Sequence, residues 1–130
     1  MMDRDRDGVD PPRVLNLIGG RWRDGSVTFD VVDPFRGEIV SRVASASAAD
    51  VDDAVAAALA AREAAEQPGY VRATWLRDAQ ALVLERAEQF ALAITRETGK
   101  PIRDARVEVS RSVETLGLCA EESIRIEGKH

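Results

Sequence analysis

The sequence predicts a mostly α-helical chain prefaced by a short β hairpin or meander. Two observations predict it. Between Val14 and Val43 the apolar residues are β-branched or aromatic and come in short runs separated by turn residues. From Ser47 onward the apolar residues recur in steps of three and four, which is the spacing of one helix face.

The β preface begins after a charged arm. Met1 to Pro12 alternates Asp and Arg with almost nothing to bury, so residues 1–13 are expected to form a disordered arm. Val14 to Ile18 reads as a short strand. Gly19-Gly20 and Asp24-Gly25 follow as turn signals, with Trp22 between them. Thr28 to Val32 has the composition of a half-buried strand. Asp33-Pro34-Phe35-Arg36-Gly37 reads as a turn, because Asp accepts from a backbone N–H two residues on and Pro presets φ at the next position. Glu38 to Val43 is the returning strand. Such a preface is too small to be stable alone.

The helices follow. Ser47 and Asp50 form a capping box with Asp in place of Glu. Val51, Val55 and Leu59 supply a stripe in an Ala-rich helix running to about Ala65, before Pro68-Gly69 breaks it. Leu76, Ala79 and Val83 share a face of the next helix, to about Arg86. Phe90, Ala91 and Ile94 belong either to its continuation or to a separate helix after a bend. Gly99 suits a left-handed helix end, and Pro101 suits the first turn of a last helix. That helix carries the stripe Ile102, Ala105, Val109, Val113, Leu116, Ala120 and Ile124, with Glu121 and Arg125 spaced to pair.

Composition narrows the function classes. Hydrophobic residues make up 45% and charged residues 32% of the 130, which is enough apolar material for a modest core. The formal net charge is −5, of which Met1 to Pro12 supplies −2. No basic stripe is present to neutralise phosphates, so a nucleic-acid partner is not expected. No apolar run is long enough to span a bilayer. The charged start lacks the apolar stretch of a secretory signal, and the lone Cys119 has no internal disulfide partner. A cytoplasmic protein is the default.

Several residues invite a functional reading and have a plainer one. Cys119 lies beside the apolar stripe without a basic neighbour or Gly-rich turn, and reads as a small, partly buried hydrophobe. Gly99-Lys100 lacks the earlier Gly and the following Ser or Thr of a phosphate loop, and reads as a helix stop. Trp22, Trp75 and Tyr70 read as core or boundary packing rather than ligand stacking. A terminal His130 alone is not a metal site.

Five local patterns then coincide in order. Ile18-Gly19-Gly20-Arg21-Trp22 resembles the Ile-Asn-Gly-x-Trp opening of the NAD(P)-dependent aldehyde dehydrogenases. Asp33-Pro34-Phe35-Arg36-Gly37-Glu38 resembles that family's Asn-Pro-x-x-Gly-Glu turn. Asp50-Val51-Asp52 through Ala58 resembles its first helix, and Arg72 with Leu76 its Arg-x-x-x-Leu helix. Glu97-Thr98-Gly99-Lys100-Pro101 matches its Glu-Thr-Gly-Lys-Pro sequence, with Glu108-Val109 following at the family's offset. Gly19 and Asp33 depart from the usual Asn but keep turn-forming chemistry. The Pro34-Phe35 pair leans toward the semialdehyde and hydroxyaldehyde types.

The resemblance implies the family's α/β fold, with residues 14–130 forming the incomplete N-terminal part of a nucleotide-binding domain. It implies oxidation of an aldehyde to a carboxylic acid with NAD or NADP, in a homo-oligomer. No position here matches the family's nucleophilic Cys, basic Glu, oxyanion-hole Asn or nucleotide-phosphate loop. No catalytic and no cofactor-binding residue is therefore assigned, the chain alone is expected to be inactive, and its partner is the remainder of the enzyme. The resemblance also implies a structural monovalent cation held by the Glu108 carboxylate and the carbonyl near Val32, oxygen ligands that suit a hard cation. A helix-surface carboxylate is the plainer reading of Glu108. The alternative for the whole chain is a stand-alone helical interaction module without enzymatic activity.

Overall fold

The computed structural model describes residues 10–64 and 67–126, which form two compact units. The first unit holds the β preface and the first helix, and Arg96–Thr98 join it. Its strands are β1 (Arg13–Val14), β2 (Asn16–Ile18), β3 (Arg21–Arg23), β4 (Thr28–Val32) and β5 (Ile39–Ala44), followed by α1 (Ala48–Ala64).

The expected strand from Val14 to Ile18 is two strands in two sheets. Val14 in β1 runs parallel to β5 opposite Val43, whereas Asn16 in β2 pairs antiparallel with Arg23 in β3. The Arg42 N–H donates to the Pro12 carbonyl, so pairing along β5 begins within the expected arm. Residues 1–9 of that arm lie outside the described residues, and Arg13 already belongs to β1. Gly19 and Gly20 both take positive φ, 57° and 75°, which is what a two-residue hairpin between β2 and β3 requires. The larger sheet has the order β1-β5-β4, with β4 and β5 antiparallel and an irregularity between Val31 and Val32.

The turn from β4 to β5 forms as expected. The Phe35 and Arg36 N–H groups donate to Asp33 Oδ1 at 2.8 and 3.0 Å, and the Gly37 N–H donates to the Asp33 carbonyl at 2.8 Å. The capping box at the start of α1 also forms. Ser47 N–H donates to Asp50 Oδ2 at 2.9 Å, and Asp50 N–H donates to Ser47 Oγ at 3.2 Å. Val51, Val55 and Leu59 are each about half exposed, and Val51 and Val55 line an open apolar groove with Leu17 and Ile18 of β2.

The second unit contains the remaining helices: α2 (Gly69–Glu85), α3 (Ala87–Thr98, except its last turn) and α4 (Ile102–Arg125). The open question between one helix and two resolves as two. Arg86 leaves the helical region at φ −104° and ψ 19°, while its N–H still donates to Leu82. No Gly or Pro marks this break. Pro68 caps α2 and Gly69 is its first residue, so this pair opens a helix as well as ending the preceding segment. Gly99 closes α3 at φ 73°, and Pro101 stands at the N-cap of α4, one place before the expected first turn.

The core of this unit comprises Ala91, Ala105 and Val109, with Val83, Ala87, Ile94 and Ile102 packed against it. Helices α2 and α4 pack antiparallel through small residues. A Cβ on Gly69 would collide with the Ser123 carbonyl oxygen, and one on Gly117 would press on the Gln80 amide. Gln80 Nε2 donates to the Val113 carbonyl at 2.9 Å, and Ser123 Oγ donates to the Gly69 carbonyl at 3.2 Å. The α4 stripe therefore ends differently from expectation. Ala120 and Ser123 are buried, whereas Ile124 is 52% exposed. Arg125 pairs with Glu122 at 2.7 Å rather than with Glu121. Among the described residues no helix is long and apolar enough to cross a membrane.

Candidate functional site

The residues that carry local chemistry sit at element ends and on α4. Val32 is the last residue of β4, in the first unit, where the ladder to β5 is irregular. Its neighbour Asp33 is buried, and its carboxyl is held below the usual carboxylate range. The Arg36 N–H contributes most to that shift and the Phe35 N–H next. The positive charges of Arg36 and Arg96 add to it, and burial opposes it. Phe35, at the tip of the same turn, is 90% exposed.

Glu108 belongs to the second unit, on the exposed side of α4, adjacent to buried Val109. Its carboxylate pairs with the Lys100 ammonium, whose residue lies just before the N-cap Pro101. The two side chains are 48% and 40% exposed, so water screens the pair and leaves its net stabilisation small. A cation at Glu108 would share or replace the charge that Lys100 already supplies. Among the described residues no three His, Cys, Asp or Glu side chains cluster to hold a metal.

A stronger ion pair ties α3 to α4. Arg106 donates from Nε and Nη2 to the two carboxylate oxygens of Glu88, at 2.9 and 2.7 Å. This forked geometry lowers the Glu88 pKa and raises that of Arg106, in both cases first through the hydrogen bond and then through the opposite charge. The pair links α3 to α4 across their exposed sides.

Cys119 is exposed on α4, not partly buried as its neighbours Leu118 and Ala120 suggest. The residues one helical turn away are Thr115, Leu116, Glu122 and Ser123, none of them cationic. A thiolate there has no positive partner on its own helix, which is what activation of a nucleophilic cysteine needs. Trp22, Tyr70 and Trp75, expected in packing positions, are also more than half exposed.

The start of α4 does not suit a nucleotide phosphate. Pro101 has no N–H to offer, and Asp104 in the first helical turn would oppose a second anion. The sequence pointed to Arg72 only as part of a family pattern and did not single out Gln80 or Ser123; all three fasten α2 to α4. Arg72 donates to the Gln67 carbonyl and, at 3.5 Å, to the Ser123 carbonyl. The available signal was polar side chains and Gly117 on otherwise apolar helix faces.

The family model of the aldehyde dehydrogenases matches residues 22–130, and the chain belongs to that family. It is 35% identical over 112 residues to 3-sulfolactaldehyde dehydrogenase from Priestia aryabhattai, covering 86% of this chain and 23% of that protein. Aldehyde dehydrogenase 21 from Physcomitrella patens, solved with its reaction product succinate, superposes with a TM-score of 0.87 and 37% identity. That match covers 94% of this chain and 26% of the moss enzyme's chain. The structure of PnpE in complex with nicotinamide adenine dinucleotide gives 0.83 and 36%, over 90% of this chain and 25% of that one. The chain thus spans about a quarter of the length of these relatives.

Proposed function

We propose that these residues form the N-terminal part of an NAD(P)-dependent aldehyde dehydrogenase and position its site without supplying the reacting groups. The observation that carries this reading is the superposition of nearly the whole chain on about a quarter of a solved aldehyde dehydrogenase. Residues 14–130 serve as the opening of the nucleotide-binding domain. The nucleophilic cysteine, the glutamate that activates water and the oxyanion donor belong to chain outside these 130 residues. NAD or NADP, when bound, accepts the hydride, and the residues described above contribute no contact to it. PnpE, solved with NAD, supports the cofactor class.

The substrate class that fits best is a short aldehyde carrying a polar or anionic group. The names of the relatives support this, since one oxidises sulfolactaldehyde and another releases succinate. The partner is the remainder of the enzyme, and the assembled protein is a homo-oligomer.

Complementation tests the reading. The purified chain is mixed with a polypeptide comprising the rest of an aldehyde dehydrogenase, and reduced nicotinamide is followed by absorbance with a panel of short aldehydes. Activity is expected only on mixing, and it should survive Cys119→Ala because the nucleophile lies in the other piece. Two folded pieces that restore nothing would overturn the proposal.

A further inference from the structure

We draw no further inference here: the strongest candidate, the open apolar groove between β2 and α1 lined by Leu17, Ile18, Val51 and Val55, carries nothing because nothing in the structure shows what covers it.

Discussion

Asp33 shows how much one side chain does in this chain. Its carboxylate accepts two backbone N–H groups and so sets the turn that reverses β4 into β5. Its pKa is lowered in the folded state, so the unfolded state binds a proton more readily. The stabilisation is therefore complete above the unfolded carboxyl pKa and fades as pH falls through the lower folded value. Asp33→Asn keeps an acceptor oxygen and the turn but removes the charge. Its thermal midpoint should decline less steeply in acid than that of the wild type. A residual decline should remain, because Asp24, Asp50 and Glu88 are shifted in the same direction. An acid limb identical in both proteins would show that Asp33 does not act through its charge.

Glu108 gives the second prediction at this scale. In an intact homologue carrying these residues, Glu108→Gln should weaken a bound Na⁺ or K⁺ without abolishing the fold, because it removes a formal charge from a hard-oxygen ligand. Crystals of the variant report the occupancy directly. Unchanged occupancy would remove Glu108 from the ligand set and leave it as the partner of Lys100.

At the scale of elements, legibility in the sequence followed local chemistry. The capping box, the Asp33 turn and the glycine at the end of α3 were all readable because each is a short-range hydrogen-bond or backbone requirement. The division of Val14 to Ile18 between two sheets was not readable, since strand partners are chosen by distant residues such as Val43 and Arg23. The break at Arg86 carries no Gly or Pro and left no signal. The α1 stripe was legible as a period but its half exposure was not, because periodicity identifies a face and not what covers it. Glu108 and Val32 were singled out by family position alone. Nothing in their spacing distinguishes a cation ligand from a surface carboxylate.

The closest helix contact gives the prediction for this scale. Gly69 meets the Ser123 carbonyl oxygen where α2 begins, and backbone atoms cannot swing aside as a side chain would. Gly69→Ala should destabilise the second unit by about 1–3 kcal/mol, as overpacking of a well-packed contact does. Denaturant titration measures it. An unchanged or raised midpoint would mean that the gain in helix propensity outweighs the clash and that the two helices separate easily.

For the whole molecule, the exposed apolar residues matter most. Leu17, Trp22, Phe35, Tyr70, Trp75 and Leu118 are all more than half exposed. Each large apolar side chain gains roughly 1.5–3 kcal/mol when fully buried, so leaving several in water favours association. The isolated chain should therefore self-associate with rising concentration in sedimentation velocity. A clean monomer with a sharp two-state thermal transition would favour the independent helical module instead.

Under the proposed function these 130 residues scaffold aldehyde oxidation and do not perform it. The most direct measurement is the chain's own turnover, with short aldehydes and both nicotinamide cofactors, beside that of Cys119→Ala. Cys119 lies on a helix face with no cation one turn away, and catalytic groups that act as a unit are lost as a unit. A scaffold role predicts no reduced nicotinamide above the protein-free control from either protein. Turnover by the wild-type chain that disappears in Cys119→Ala would contradict it.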